Sequence, residues 1–283
     1  HNVLGMRVWL SDGSELDFGT VATAGGRVAQ IGSFVHALAH EHRAEIVARW
    51  PKVMRRVAGY NLDIFDNQSE RPYTADGSVN LAHMLVGAEG TLAYTQSLTL
   101  QLAELPRAKV LGVVNFATFH AAMDAAQHLV ALGPTAVELV DRTMIELSLV
   151  NPAFKATIET ALIGRPAAIL LVEFAGNDKA ALMPKLRQLA ELMGDLGLPD
   201  SVVEMPDDVS QKKLWEVRKA GLNIMMSLKG DGKPVSFIED CAVPLEHLAE
   251  YTDGLTEVFA KYGTRGTWYA HASVGTLHVR PIL

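Results

Sequence analysis

The second half of the chain constrains the fold most, because short apolar segments alternate there with helical patterns. The strand-like segments are 108–115, 136–139, 167–175, 201–205, 234–243, 267–271 and 275–280. Parallel neighbours in a sheet need crossover connections of about a dozen residues or more, and several of these links look too short. The pattern therefore predicts an antiparallel sheet with helices packed on one face.

The residues before this region follow a different pattern. A strand over 3–10 leads through Ser11-Asp12-Gly13-Ser14 into a strand over 15–18, which is a strong hairpin signal. Helical periodicity over 31–50, a polar loop over 61–78 and a strand over 92–102 follow. We place a boundary near residue 105, which gives domains 1–104 and 105–283.

Composition excludes several functions. The 283 residues are 49% apolar and 20% charged, and a net charge of −7 without a basic run argues against nucleic-acid binding. The single cysteine permits no internal disulfide and favours a reducing, cytoplasmic location. No apolar run approaches the length of a transmembrane helix, and we find no signal peptide. Both ends fall at strand patterns, so we interpret the chain as an internal piece of a longer protein.

The segment His271-Ala-Ser-Val-Gly-Thr-Leu-His278 carries the clearest candidate chemistry. Gly275 permits a tight turn between two strands, and two imidazoles on such a hairpin can converge on one cation. Zinc suits imidazole and carboxylate ligands. On spacing alone, two independent histidines are the stronger interpretation, and a complete metal site would need a third ligand from beyond Leu283.

A glycine-rich segment, Gly87-Ala-Glu-Gly-Thr91, precedes the strand over 92–102. Small residues let the backbone approach a flat or phosphorylated ligand and donate N–H groups to it. The alternative is an ordinary glycine turn. The segment matches neither the dinucleotide fingerprint nor the P-loop.

Two further segments offer polar candidates. A helix over 206–222 puts Trp215 and Arg218 on one face, and the planar guanidinium of Arg218 suits a carboxylate. A solvated arginine above a core tryptophan would show the same pattern. Glu239 and Asp240 end the strand over 234–243, where either a binding role or a helix N-terminal role fits them.

Taken together, these segments resemble the FAD-linked oxidases of the vanillyl-alcohol-oxidase type. Residues 87–93 are similar to the family's GSEGTLG element. Residues 271–278 resemble the HxGDGNLH element of its D-lactate, D-2-hydroxyglutarate and glycolate dehydrogenase branch, and 214–222 resemble that branch's WxxR helix. Residues 237–244 and 278–281 look most like long members that carry a fused iron–sulfur module. The motif order is kept along essentially the whole chain.

The resemblance implies an α+β fold. Residues 1–104 would form the second part of an FAD-binding domain, and 105–283 a ferredoxin-like antiparallel-sheet cap domain with helices on one face, truncated at its end. His271 and His278 would bind zinc or another divalent metal, and Arg218 would hold the substrate carboxylate. The residues that would lie along the flavin are Gly87, Glu89, Gly90 and Thr91.

The resemblance also implies an activity, namely FAD-dependent oxidation of D-lactate, D-2-hydroxyglutarate or glycolate to the 2-oxo acid. Electrons would pass to an acceptor protein or a quinone. In a longer protein an iron–sulfur cluster and a peripheral position at the inner membrane face would be expected. Two features depart from the family pattern, since Ser273-Val-Gly-Thr276 replaces Gly-Asp-Gly-Asn and Ile238 replaces a substrate-binding lysine. The alternative is an inactive binding module that does not hold FAD by itself.

Overall fold

A computed structural model describes residues 2–56, 59–66, 74 and 78–283. The chain divides into two compact units, one formed by 1–52 and 56–104 and the other by 53–55 and 105–283. Part of the predicted loop over 61–78 lies outside the described residues. Among the described residues, no helix has both the length and the apolar character needed to cross a bilayer.

In its described residues, the first unit contains a small antiparallel sheet and two α-helices. These elements are β1 (Val3–Trp9), β2 (Glu15–Phe18), α1 (Gly26–Glu41), α2 (Arg43–Arg49) and β3 (Tyr94–Leu100). The strand order is β2-β1-β3. The predicted hairpin between β1 and β2 is present, with Gly13 at φ 83° and the backbone N–H of Ser14 donating to Asp12 over 2.9 Å.

One face of this sheet forms the core of the first unit. Met6 and Val8 of β1 cluster with Phe18 of β2 and with Val35 and Ala39 of α1. Residues two apart on a strand share a face, and residues four apart on a helix share a face. The apolar side chains that recur at these two spacings therefore pack together in a single layer between the sheet and α1.

The second unit is built on seven strands. They are β4 (Ala108–Phe116), β5 (Ala136–Asp141), β6 (Ala168–Gly176), β7 (Val202–Met205), β8 (Ile238–Ala242), β9 (Gly266–His271) and β10 (Thr276–Pro281). The order is β7-β4-β6-β5-β9-β10-β8, and every neighbouring pair is antiparallel. The predicted antiparallel sheet is confirmed.

Helices cover both faces of this sheet, which corrects the expectation of a single helical layer. The helices of the second unit are α3 (Phe119–Leu129), α4 (Arg142–Val150), α5 (Lys155–Glu159), α6 (Lys179–Asp195), α7 (Asp208–Lys219), α8 (Gly221–Met226) and α9 (Leu248–Lys261). Val110 and Val114 of β4 join one core with α3, α6 and α9. Leu111 and Val113 join a second core with α4, α5, α7 and α8. Successive strand residues point to opposite faces, so β4 is buried on both sides.

The sequence carried a signal for this two-sided burial. Residues Ala168 to Phe174 of β6 are all buried, and the run is continuously apolar up to Glu173 rather than alternating. Continuous apolar strands are typical of sheets covered on both faces. The short connections indicated strand direction correctly, but they carried no information about which face each helix covers.

Candidate active site

The two histidines of the predicted metal motif come together on the hairpin formed by β9 and β10. In the register of this pair, His271 lies opposite Thr276 and His278 lies opposite Tyr269. Ala270, between Tyr269 and His271, belongs to the core on the α3 face, so both imidazoles lie on the face that α7 shares. Their rings meet edge to face at 83°, with centroids 5.3 Å apart. This proximity is a geometric requirement of the predicted metal site.

Gly275 makes this hairpin geometry attainable. It has φ 68°, in the left-handed region, and it follows the short 3-10 turn Ala272–Val274. A Cβ added to Gly275 would lie 2.0 Å from the carbonyl oxygen of Val243. The carbonyl of Gly275 also accepts a hydrogen bond from the N–H of Val243 over 2.8 Å. The backbone therefore has no room for a larger residue.

Glu138 of β5 links the predicted metal ligand His271 to the predicted anion-binding residue Arg218. It lies opposite His271 in the β5–β9 register. Its Oε1 is 2.7 Å from Nδ1 of His271, and its Oε2 accepts from Nη2 of Arg218 over 2.8 Å. An ionised carboxylate only accepts hydrogen bonds, so His271 carries its proton on Nδ1. The Nε2 atom of His271 is then the one suited to a metal.

His278 has an equivalent carboxylate in Glu239 of β8. Glu239 Oε2 accepts from Nδ1 of His278 over 2.8 Å, and its Oε1 forms a 2.8 Å ion pair with Nε of Arg280. Burial acts to raise the pKa of Glu239, but hydrogen bonds from Ser236 and His278 and the charge of Arg280 outweigh it and lower the pKa. Glu239 is therefore ionised, and His278 also presents Nε2.

Tyr269 lies between these two sets of side chains. Its ring stacks on His278 with centroids 4.3 Å apart and a 20° angle between planes. The guanidinium carbons of Arg218 and Arg280 lie 5.1 Å and 5.6 Å from its ring centroid, within cation–π range. Arg280 also donates to the Tyr269 hydroxyl over 3.2 Å. The side chains from α7, β5, β8, β9 and β10 thus form one connected network.

The donor set suits a divalent cation bound by imidazole nitrogens. The carboxylate contacts of the two rings all use Nδ1, and they include a 3.2 Å contact between His278 and Asp240. A carboxylate behind each imidazole is the usual arrangement around zinc. A second grouping among the described residues is Glu239, Asp240 and His278, whose ligand atoms lie within 4.8 Å of one another. We favour the imidazole pair, because Arg280 already neutralises Glu239 and the side chain of Asp240 is 73% exposed.

The predicted flavin segment lies in the first unit, just before β3. Gly87, Glu89 and Gly90 all have positive φ, at 85°, 50° and 76°. Thr91 closes the turn, because its N–H donates to the carbonyl of Ala88 over 3.0 Å and its hydroxyl donates to the same oxygen over 2.6 Å. A Cβ on Gly90 would meet nothing within 4 Å. Gly90 is exposed and has open space beside its backbone, which a flat ligand or a phosphate requires.

Sequence reasoning missed Glu138, Tyr269 and Arg280 as site residues. A weak signal existed for Glu138, because it is a charged residue between Val137 and Leu139, which are both fully buried. Successive residues of a strand point to opposite faces, so a charged residue between two apolar ones points to the face opposite theirs. The identity of its partners could not be read, since His271 lies 133 residues further along the chain.

Comparison with known proteins identifies the family. The C-terminal domain of FAD linked oxidases matches residues 105–283. The chain belongs to this family. It is 30% identical to a D-2-hydroxyglutarate dehydrogenase of Pantoea ananatis over all of this chain and 29% of that protein. A D-2-hydroxyglutarate dehydrogenase of Escherichia coli is 26% identical with the same coverage.

A D-lactate dehydrogenase of Archaeoglobus fulgidus is 27% identical over 93% of this chain and 54% of that protein. The chain spans less than a third of the length of each of the two D-2-hydroxyglutarate dehydrogenases. Among solved structures, p-cresol methylhydroxylase with substrate bound has a TM-score of 0.59 at 12% identity, over all of this chain and 51% of that one. The 4-ethylphenol oxidase of Gulosibacter chungangensis has a TM-score of 0.53 at 11% identity, over 99% of this chain and 51% of that one. These two structures show a shared fold.

Proposed function

We propose that the protein carrying this chain oxidises a D-2-hydroxy acid to the 2-oxo acid, with FAD as the hydride acceptor. The observation that carries the proposal is the placement of His271, His278 and Arg218 in one network on a single sheet face. Membership of the FAD-linked oxidases supports it. So do the names of the similar proteins, which are D-2-hydroxyglutarate and D-lactate dehydrogenases.

Arg218 would bind the substrate carboxylate. Its side chain is 13% exposed, and its Nη2 is already bonded to Glu138. Its buried Nε has no hydrogen-bond partner in the described part of the chain. Leaving a buried donor unpaired costs about 1–3 kcal/mol, so a carboxylate that accepts from Nε would remove a penalty present in the free protein.

His271 and His278 would hold a divalent metal through Nε2, while Glu138 and Glu239 fix the orientation of the two rings. Residues 87–91 would lie along the flavin. A metal, when bound, would supply the charge that lowers the pKa of the substrate hydroxyl, whose proton would pass to solvent, and FAD would supply the acceptor for the hydride from C2. An acceptor protein or a quinone would complete the turnover.

Anaerobic flavin reduction tests this proposal directly. The purified protein is reconstituted with FAD and Zn²⁺ and then mixed with D-2-hydroxyglutarate, D-lactate or glycolate. We expect one of these acids to bleach the visible flavin absorbance, while L-2-hydroxyglutarate does not. An oxidised spectrum with every acid, metal present, would refute the proposal.

The alternative is an inactive binding module that does not hold FAD by itself. Titration of FAD into the purified chain separates the two hypotheses. Micromolar binding with quenching of flavin fluorescence would support the enzyme. Unchanged flavin fluorescence at saturating protein would support the binding module.

A further inference from the structure

The two carboxylate oxygens of Glu138 have different partners, one a predicted metal ligand and the other the predicted anion-binding arginine. Oε1 accepts a hydrogen bond from Nδ1 of His271 over 2.7 Å, and Oε2 accepts one from Nη2 of Arg218 over 2.8 Å. The side chain is 13% exposed. A carboxylate held at both oxygens has little freedom to rotate, so each partner limits where the other can lie.

The backbone beneath Glu138 is equally constrained. In the register of β5, Glu138 lies opposite Leu171 of β6 on one side and His271 of β9 on the other. Its neighbours Val137 and Leu139 are fully buried in the core of the opposite face. A strand cannot turn one side chain to the other face without moving these two as well. Glu138 is therefore a rigid support.

From this geometry we propose that Glu138 is a positioning residue that joins the anion-binding Arg218 to the metal ligand His271. Metal binding and hydroxy-acid binding would then reinforce each other. This inference rests on the proposed function, because it takes His271 as a metal ligand and Arg218 as the carboxylate-binding group. A metal on Nε2 makes the Nδ1 proton a stronger donor to Glu138, which fixes the carboxylate and with it the guanidinium. An ordered guanidinium loses less freedom when an anion binds.

The same arrangement occurs a second time in the site. Glu239 accepts from His278 and pairs with Arg280, as Glu138 accepts from His271 and pairs with Arg218. Two carboxylates that each connect one imidazole to one guanidinium hold both rings by Nδ1. This repetition supports a positioning role over an incidental ion pair.

The test measures zinc binding to the full chain by isothermal titration calorimetry, with and without saturating D-2-hydroxyglutarate. In the unaltered protein we expect the hydroxy acid to tighten zinc binding. In Glu138→Gln the amide can accept from only one partner and turns its NH₂ toward the other donor. We expect zinc to bind about 10–100-fold more weakly in this variant. We also expect the hydroxy acid to change zinc affinity less than in the unaltered protein, because only the direct contact of the metal with the hydroxyl would remain.

Glu173→Gln is the matched control, since Glu173 is a buried carboxylate of β6 that pairs with Lys109 outside the site. We expect it to keep both the zinc affinity and its dependence on the hydroxy acid. If Glu138→Gln does not fold, Glu138→Asp keeps the charge but shortens the reach, and it should weaken the dependence as well.

The outcomes separate the two proposals. Zinc and hydroxy-acid binding that reinforce each other equally in the unaltered protein and in the Glu138 variants would overturn the positioning role and leave the proposed function standing. Binding of neither zinc nor hydroxy acid by the unaltered protein would overturn the proposed function together with it.

Discussion

Replacement of Gly275 by alanine should be among the most damaging single changes in the second unit. An alanine at φ 68° pays about 1–2 kcal/mol for the left-handed conformation. Its Cβ would lie 2.0 Å from the Val243 carbonyl oxygen, so the two backbones must separate by more than about 1 Å to reach ordinary contact. That separation breaks the hydrogen bond from Val243 to Gly275, which contributes about 1 kcal/mol. We expect a total loss of about 2–3 kcal/mol.

Gly133→Ala is the matched control, because Gly133 has the same φ of 68° and a Cβ there would meet nothing within 4 Å. Gly133→Ala should cost only the conformational part, about 1–2 kcal/mol. Urea unfolding, followed by circular dichroism and by tryptophan fluorescence, measures both losses. The difference between the two variants isolates the contact with Val243.

The two variants should also differ in zinc binding. Gly275 lies in the turn that sets the spacing of the two imidazoles, whereas Gly133 lies at the end of a 3-10 turn after α3. Gly275→Ala should therefore weaken zinc binding while Gly133→Ala leaves it unchanged. Equal losses of stability in the two variants would show that the close approach to Val243 is not a constraint on the hairpin.

Three further predictions follow from the cores and the site. Burial raises the pKa of Asp141 to about 6, so the folded state binds a proton more tightly than the unfolded state. The free energy of unfolding should therefore fall by about 3 kcal/mol as the pH rises from 4 to 6, and this contribution should stay constant above pH 6. Urea unfolding of Asp141→Asn should not show this dependence on pH. Leu170 and Leu171 are both fully buried, on opposite faces of β6, and alanine at either should cost about 2–5 kcal/mol by urea unfolding; a loss at only one would contradict two covered faces. Arg218→Lys should raise KM for the hydroxy acid more than it lowers kcat in steady-state assays, because a lysine cannot keep Glu138 and a carboxylate in a bidentate fork; an unchanged KM would count against the assigned role.

Local sequence patterns predicted most of the strands. The run over 167–175 became β6 within one residue at each end, and the last two strand patterns became β9 and β10. These predictions succeeded because the period of two and the glycine at the turn are local properties. The antiparallel direction also followed locally, from the short connections.

The layering of the helices could not be read in the same way. Each helix pattern shows one apolar stripe, but a stripe does not say which face of the sheet it covers. That choice depends on which strands lie beneath the helix, and the strand order β7-β4-β6-β5-β9-β10-β8 departs from the order along the chain. The expectation of one helical layer was wrong for this reason.

The histidine pair shows the same division between sequence and tertiary structure. The sequence determined the hairpin, the glycine in its turn and the family motif around His271 and His278. It left open whether the two imidazoles meet and what holds them. Only the tertiary structure decided that His271 hydrogen-bonds to Glu138, 133 residues before it in the chain, and that Glu138 also holds Arg218. Contacts of this kind depend on strand order and on the packing of α7, and no local pattern encodes either.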